Sequence, residues 1–240
     1  MNNGIYSVLS GSIAQERRLE IITNNIANIN TPGYKREEPI FQRYIPKSFE
    51  NISPVSNKDK VYVEVVRTMT QFSPGGIKDT GNPLDLAIEG NGFFVVETDN
   101  GTRYTRSGNF TLDSERRLVT QDGSVVLGEG GPILLEEGKI SVDADGKISV
   151  NNNEVGALLI TDFPDMNVLQ KDSNTFFKGE GGVPSENFKV IQGKIELSNV
   201  EPMSELSSMI EVIRSYQAYQ KVIQTISDTT SRSINEVGKI

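Results

Sequence analysis

The strongest constraint on the fold is an apolar repeat that is present at both ends of the chain. Over residues 4–30, apolar side chains recur every seven residues on two helical positions, with one polar interruption in each series, and the pattern returns over residues 203–237. It predicts two long amphipathic helices. Since neither can bury its stripe alone, we expect them to pair as a coiled-coil-like layer. The apolar members are Ile5, Val8, Leu19, Ile22, Ile26 and Ile29 at one end, and Leu206, Met209, Ile213, Tyr216, Ile223, Ile234 and Val237 at the other.

The first predicted helix ends in a stretch rich in asparagine. Asn24, Asn25 and Asn28 precede Pro32 and Gly33, two residues that are expected to stop a helix. Asparagine is a poor residue inside a helix because its amide competes for backbone hydrogen bonds. The cluster is either a frayed helix end or a polar surface that bonds to another chain. We favour a subunit contact, because a matching helix stands at the other end of the chain.

Between the helices the pattern changes twice. Residues 37–60 contain Pro39, Pro46 and Pro54 among polar residues, which predicts an extended connector. From Val61 to Ser198, short apolar runs alternate with turn signals, which predicts an antiparallel sandwich or barrel. The predicted strands cover residues 61–66, 84–88, 93–97, 103–106, 117–120, 124–127, 139–142, 147–150, 157–161, 175–178 and 188–197. The predicted hairpin turns are Asn91-Gly92, Asp99-Asn100-Gly101, Asp122-Gly123 and Asp145-Gly146.

The chain is therefore expected to have an α+β fold, in which an antiparallel all-β domain is inserted between two assembly helices. The expected boundaries are residues 1–36 for the N-terminal helix, 37–60 for the connector, 61–198 for the β domain and 199–240 for the C-terminal helix. The β domain has ten apolar side chains that we expect in its core. They are Phe93, Phe94, Phe110, Leu118, Val125, Leu127, Leu158, Leu159, Phe176 and Phe177.

The composition argues against an enzyme and against several kinds of partner. The chain has no histidine, the commonest general base and metal ligand, and no cysteine to supply a thiolate. A formal net charge of −8 disfavours nucleic acid and anionic lipid. No apolar run is long enough to span a bilayer, and we expect no cleavable signal peptide. We predict no catalytic residue, no cofactor and no metal site.

Two short motifs partly resemble ligand-binding loops. Asp143-Ala144-Asp145-Gly146 resembles part of a calcium loop, but its glycine comes too early, and a hairpin turn is the better interpretation. The glycine-rich residues 128–132 lack the Gly-Lys-Ser/Thr sequence that binds phosphate, and we interpret them as a plain loop.

Three ordered motifs carry a family resemblance. The first is Asn-Asn-Ile-Ala-Asn at residues 24–28 with Thr-Pro-Gly-Tyr-Lys at 31–35. The second is Leu-Asp-Leu-Ala-Ile-Glu-Gly-Asn-Gly-Phe-Phe at 84–94, with Tyr-Thr-Arg-Ser-Gly-Asn-Phe at 104–110. The third is Ser-Asn-Val at 198–200 with Arg-Ser-Tyr at 214–216. Together they resemble the flagellar rod and hook family of bacterial axial proteins. Within it, the chain length and residues 126–133 are more similar to the proximal-rod type than to the distal-rod type, which is the alternative.

The resemblance implies a structural subunit of the flagellar basal-body rod, exported through the flagellar type III apparatus. Such a subunit would polymerise through its terminal helices, with copies of itself and other rod subunits, into a helical tube that crosses the periplasm and transmits motor torque. The expected assembly interface consists of Ile5, Leu19, Ile22, Asn24, Asn25, Ile26, Asn28, Ile29, Thr31, Gly33, Leu206, Met209, Ile213, Tyr216 and Ile223.

Two other classes are weighed against this interpretation. A cell-wall glycan hydrolase is disfavoured because histidine, cysteine and tryptophan are all absent. A β-rich adhesin or pilus subunit would leave the two long terminal helices without a role.

Overall fold

The computed structural model describes residues 2–44 and 62–237, and the chain divides into two compact units. We call Met1–Ala27, Glu37–Gln71 and Glu201–Ile240 the helical unit, and Asn28–Arg36 with Phe72–Val200 the β unit. Residues 45–60 of the predicted connector, the first residue of the strand predicted at 61–66, and residues 238–240 lie outside the described residues. Two helices and many antiparallel strands give the α+β class that the sequence predicts.

Two long helices, α1 (Asn2–Ala27) and α2 (Pro202–Val237), form most of the helical unit. They run antiparallel, because Gly11 lies against the Tyr219 ring while Asn25, later in α1, lies beside Glu205, earlier in α2. The close approach at Gly11 needs the missing side chain, since a Cβ there would lie 2.8 Å from the ring. The buried apolar side chains of the two helices are Ala14, Ile22 and Val212.

Helix α1 ends earlier than the sequence predicts. Its last residue is Ala27, and the chain then turns, with the Thr31 N–H donating to the Asn28 carbonyl oxygen at 3.1 Å. The Thr31 hydroxyl and the Asn28 side-chain oxygen also lie 3.2 Å apart. The asparagine side chain therefore helps to replace the helical hydrogen-bond pattern before Pro32 is reached.

The predicted connector begins instead as a strand. Strand β1 (Glu37–Tyr44) pairs antiparallel with β2 (Tyr62–Thr70), and the register shifts between Ile40 and Phe41. Pro39 fits because each strand of a two-stranded sheet is an edge strand, where proline is tolerated. Both strands belong to the helical unit, so the β unit resumes at Phe72 rather than at residue 61.

The β unit is built from short strands and one 3₁₀ turn, Met166–Val168. The strands are β3 (Ile77–Asp79), β4 (Leu86–Gly90), β5 (Phe93–Thr98), β6 (Gly101–Thr105), β7 (Thr111–Leu112), β8 (Leu118–Val119), β9 (Val125–Gly128), β10 (Gly131–Pro132), β11 (Ile140–Val142), β12 (Lys147–Val150), β13 (Asn153–Ala157), β14 (Ile160–Asp162), β15 (Gln170–Lys171), β16 (Phe176–Lys178), β17 (Val183–Pro184), β18 (Phe188–Gln192) and β19 (Lys194–Glu196).

The largest sheet has the order β15-β16-β6-β5-β9-β8-β7, with β10 beside β9 and with β14 pairing both β5 and β17. Smaller sheets are β11-β12-β13, β18-β4 and β19-β3. Three predicted hairpins are confirmed, at Asp99-Asn100-Gly101, Asp122-Gly123 and Asp145-Gly146. The predicted hairpin at Asn91-Gly92 is wrong, because β4 pairs with β18 whereas β5 pairs with β6, β9 and β14.

The core of the β unit contains most of the predicted side chains. Seven of the ten are buried, and Val125, Leu127 and Leu159 are half-buried. On β9 the buried residue is Val126, between the two predicted ones, because successive side chains of a strand point to opposite faces. The prediction for β9 was therefore wrong by one residue, since Val126 and not Val125 or Leu127 packs into the core.

The backbone approach at Gly108 gives a test of this packing. A Cβ on Gly108 would lie 1.7 Å from the Leu86 carbonyl oxygen, so there is no room for a methyl group. Gly108→Ala should lower the free energy of unfolding of the β unit by about 1–3 kcal/mol or more. The matched control is Gly130→Ala, whose Cβ would meet nothing within 4 Å. Urea denaturation followed by circular dichroism measures both, and equal midpoints would contradict the packing described here.

Candidate functional site

Parts of all three sequence motifs meet at one place in the β unit. Asn28–Arg36, which we call the motif segment, lies against residues of the second and third motifs. The Gly33 N–H donates to the Glu196 carbonyl oxygen at 2.8 Å, and the Arg36 N–H donates to the Asn199 side-chain oxygen at 2.7 Å. We call this meeting point the motif junction.

Gly33 lies close to the backbone of the second motif. Its φ is +68°, a backbone conformation that favours glycine, and a Cβ there would lie 2.2 Å from the Ser107 backbone nitrogen. Gly33 was predicted as part of a subunit contact. The structure buries it inside one chain, where it lets the motif segment lie directly on residues 106–107.

Three buried charged side chains form the centre of the motif junction. The Lys35 ammonium lies 2.5 Å from Glu196 Oε1, and the Arg106 guanidinium lies 3.5 Å from Glu196 Oε2. Lys35 and Glu196 are each only 1% exposed. The Lys35 Nζ also donates to the Ser73 carbonyl oxygen at 2.9 Å, and the Gly75 N–H donates to Glu196 Oε1 at 2.9 Å. One carboxylate thus serves two cations and a backbone donor.

Burial opposes the charges of this cluster. It lowers the pKa of Lys35 and the pKa of Arg106 from their usual values, and the Glu196 carboxylate acts against this by favouring both charged forms. Arg106 has further partners, because its guanidinium donates to the carbonyl oxygens of Ile88 at 3.2 Å and Gly90 at 2.8 Å. It also lies over the Phe93 ring, 5.2 Å from the centroid.

No sequence pattern pointed to this cluster. Lys35 and Arg106 stand in the motifs, but Glu196 lies just before the third motif, and 161 residues separate it from Lys35. No local spacing rule relates residues so far apart. The available signal was a glutamate between Ile195 and Leu197 at the end of a strand pattern, which is an unusual place for an unpaired charge.

A second polar arrangement lies in the helical unit, at Asn25. Its Nδ2 donates to the Glu37 carbonyl oxygen at 2.9 Å, and its Oδ1 accepts the Glu37 N–H at 3.0 Å. The same Nδ2 lies 3.4 Å from Glu205 Oε2 on α2. Asn25 is buried, so this amide joins the end of α1 to the start of β1 and to α2 within one chain.

The structure separates the predicted assembly residues into three groups. Asn24, Leu206 and Ile213 are exposed. Ile5, Leu19, Ile26, Ile29, Thr31, Met209, Tyr216 and Ile223 are half-buried. Ile22, Asn25, Asn28 and Gly33 are buried. The motif junction collects Thr31, Gly33 and their neighbours, whereas the residues of α1 and α2 stay in the helical unit.

Helix α2 carries an exposed apolar stripe. Met203, Leu206, Ile210 and Ile213 are 71%, 45%, 54% and 37% exposed, and their spacing of three and four residues puts them on one helix face. We call these four residues the α2 stripe. Leu206 and Ile213 were predicted to lie on the face that pairs with α1. The most buried side chain nearby is Val212, one residue away from that assignment.

The other candidate motifs have structural roles. The Asp143 side chain accepts the backbone N–H groups of Asp145 and Lys147, which makes it part of the β11–β12 hairpin turn. Within the described residues, no group of three or more acidic, histidine or cysteine side chains is placed to hold a metal ion. Neither of the helices described is long and apolar enough to cross a membrane.

Removing charges from the motif junction should have unequal effects. Glu196→Gln leaves two buried cations without their carboxylate and should cost about 3–5 kcal/mol of unfolding free energy. Lys35→Met should cost less, because Arg106 and Glu196 still face each other. The double variant should lose less unfolding free energy than the sum of the losses of the two single variants. Urea denaturation of the four proteins measures the coupling, and additivity within about 0.5 kcal/mol would contradict a shared cluster.

The two Asn25 hydrogen bonds to Glu37 predict a second difference in stability. Asn25→Ala should lower the unfolding free energy of the helical unit by about 1–3 kcal/mol, since it removes two hydrogen bonds from partly buried backbone groups of Glu37. Asn30→Ala, at an exposed asparagine a few residues on, is the control and should change it by less than about 0.5 kcal/mol. Thermal unfolding followed by circular dichroism gives both values. Equal losses of unfolding free energy in the two variants would contradict the structural role of Asn25.

Comparison with known proteins agrees with this arrangement of motifs. The chain matches the models for the flagella basal body rod protein at residues 5–35, the flagellar hook protein FlgE/F/G D1 domain at 87–150 and the flagellar basal body rod FlgEFG protein C-terminal at 191–236. It is 34% identical to the flagellar basal-body rod protein FlgF of Caulobacter vibrioides, and the similarity covers 100% of both chains. It is 30% identical to the flagellar hook-basal body complex protein FlhO of Bacillus subtilis, also over 100% of both. For the flagellar basal-body rod protein FlgG of Bacillus subtilis the identity is 30%, over 98% of this chain and 99% of the relative. The chain therefore belongs to the flagellar basal-body rod family, as a rod protein of the FlgF type that is a structural subunit and not an enzyme.

Proposed function

We propose that this rod subunit polymerises through its helical unit, with the α2 stripe as the main contact to a neighbouring subunit, and that it does so in the proximal part of the rod. The observation that carries the proposal is the α2 stripe itself, four large apolar residues exposed on one helix face. A contiguous exposed apolar face of this kind is typical of a protein interaction site.

The stripe fits a polymer better than a closed pair. It lies on α2, whereas the exposed apolar residues of α1, Leu9 and Ile13, lie on a different element. When one surface of a subunit meets a different surface of the next, the contact need not close, and repetition gives a helical filament. We propose that α2 of one subunit packs on a different helix face of its neighbour, which makes the terminal helices a coiled-coil-like layer of the tube.

The proximal position is supported by the resemblance of the chain length and residues 126–133 to the proximal-rod type, which is the FlgF type, and by the relatives that carry the name FlgF; the distal-rod type is the FlgG type. Besides the protein of Caulobacter vibrioides, the flagellar basal-body rod protein FlgF of Mesorhizobium japonicum is 29% identical over 99% of both chains. Relatives named FlgG have similar identities, so the distal rod is the second candidate. Isolating basal bodies from strains that each lack one rod component tests the position. Loss of this subunit only when the distal rod protein is missing would overturn the proximal assignment.

We also propose that the subunit reaches the rod through the flagellar type III apparatus. The support is its membership of the rod family. Delivery of the subunit to the rod should stop when the export apparatus is disabled. Delivery that continues in such a strain would contradict the proposal.

Charged substitutions in the α2 stripe test the proposed contact. Ile210→Asp and Ile213→Asp should each reduce the amount of subunit in isolated rods by more than about tenfold and should abolish motility, because the contact would bury an unpaired carboxylate. Both side chains are exposed in the single chain, so the melting temperature of the purified subunit should not change.

The matched control is Val155→Asp, which puts the same charge on an exposed apolar residue of the β unit. This variant should enter rods normally. Normal motility with Ile210→Asp and Ile213→Asp, or an equal defect with Val155→Asp, would show that the α2 stripe is not the subunit contact.

A further inference from the structure

Helix α1 has an exposed face on the side that points away from α2. Its four side chains follow one another at spacings of three and four residues, and the first two are apolar whereas the last two are acidic. With about 3.6 residues per turn, they lie opposite Gly11 and Asn25, the residues through which α1 meets α2. We call these four residues the α1 face: Leu9, Ile13, Glu16 and Glu20.

The α2 stripe continues along α2 as a basic surface. Arg214 and Lys221 are exposed, and they follow Ile210 on the same side of the helix after about one and about three turns. This side lies opposite Tyr219, whose ring packs on Gly11 of α1. In the direction of the chain, the outward side of α2 is therefore apolar and then basic, whereas the α1 face is apolar and then acidic.

The α1 face and the α2 stripe lie on opposite sides of the pair of helices. Because each surface points away from the other helix, the two cannot meet within one subunit. They can meet between copies, when the α2 stripe of one copy lies on the α1 face of the next. A closed pair of copies would have to make both contacts at once on opposite sides of each helix pair, so the contact repeats in an open series instead.

The charges decide in which direction the two helices run. When α2 of one copy is parallel to α1 of the next, with Ile210 level with Ile13, the apolar parts coincide and the two basic residues come within about one turn of the two acidic ones. In the antiparallel arrangement the basic residues would lie toward the start of α1, about two turns or more from the acidic ones. Glu20 also bonds Arg17 of its own helix at 2.7 Å, but such an exposed pair contributes little by itself. Charge complementarity therefore favours the parallel arrangement.

We propose that the α2 stripe docks on the α1 face of a second copy of this chain, with the two helices parallel and with Arg214 and Lys221 of one copy beside Glu16 and Glu20 of the next. This inference rests on the proposed function, because it names the surface that receives the same stripe. The observation that carries it is the matching order of apolar and charged residues on the two outward surfaces. Burial of the apolar parts stabilises the contact, and the charged parts set its direction.

Charge reversal tests the pairing of the two surfaces. Glu16→Lys with Glu20→Lys, and separately Arg214→Glu with Lys221→Glu, should each reduce the amount of subunit in isolated rods at least about tenfold, because like charges would meet. All four changes in one chain should restore at least about half of the wild-type amount, because opposite charges meet again. The four side chains are exposed, so the melting temperature of each purified variant should stay close to that of the wild type.

The matched control for net charge is Glu154→Lys with Glu180→Lys, at two exposed glutamates of the β unit. This variant should enter rods normally. Normal entry of either charge-reversed pair would overturn the proposal. It would also be overturned if the chain with all four changes entered rods as poorly as the two pairs do.

A cross-link identifies the partner, and it keeps the test decisive if a charge-reversed chain folds poorly. The chain has no cysteine, so Ile13→Cys and Ile210→Cys each place a single thiol on one of the two surfaces. In rods from motile cells that make both variants, a short bismaleimide should link residue 13 of one copy to residue 210 of another, and mass spectrometry identifies the linked peptides. Absence of this link would overturn the proposal, as would links between two residues 210 alone or links to a different protein alone.

Failure of this inference differs from failure of the proposed function. If Ile210→Asp is excluded from rods while the charge-reversed α1 face has no effect, the α2 stripe remains a subunit contact and only its receiving surface is wrong. If Ile210→Asp enters rods normally, the α2 stripe itself is not the contact.

Discussion

The Glu196 carboxylate, buried between Lys35 and Arg106, is the interaction on which the arrangement of the β unit depends. The three residues come from distant parts of the sequence, and each brings a neighbouring motif with it. A buried charge that loses its partner is strongly destabilising, whereas a complete pair adds little compared with apolar packing. We therefore expect the cluster to contribute more to selectivity than to stability, because an alignment that separates the three charges would leave them buried and unpaired.

This selectivity explains why a stretch that looks like a helix end belongs to the β unit. Lys35 has its charge partner there, and Gly33 can lie on Ser107 only in its left-handed conformation. With these two residues bound in the β unit, the chain leaves α1 at the turn that begins at Asn28. The helix end and the first strand are then set by a tertiary contact, and Asn25 completes the turn from inside the helical unit.

The parts of the fold that local chemistry controls were predictable from the sequence. The helix predicted over residues 203–237 is Pro202–Val237. Three Asn-Gly or Asp-Gly turns form hairpins, because their glycines adopt the positive φ that a tight turn between paired strands requires. The parts that depend on distant partners were not predictable. Strand β1 could not be inferred without its partner β2, and the role of Glu196 could not be inferred without Lys35 and Arg106. On α2, the repeat predicts that a stripe exists, but several faces carry apolar residues, and packing decides that Val212 is buried while Ile213 is exposed.

The distribution of polar and apolar residues around the two helices is the reverse of what an isolated chain would favour. Asn25 and Glu205 are buried, where each polar group needs a partner, while the apolar α2 stripe is left in solvent. At roughly 25 cal/mol per Å² of apolar surface removed from water, covering the stripe would stabilise an assembly, and leaving it uncovered gains nothing for the single chain. The buried amide network holds the helix ends in one geometry within the subunit. The exposed stripe then has a fixed surface to offer, so a contact made through it would be oriented as well as favourable. Buried polar contacts inside the subunit and an exposed apolar face outside it are therefore compatible with the proposed contact between rod subunits.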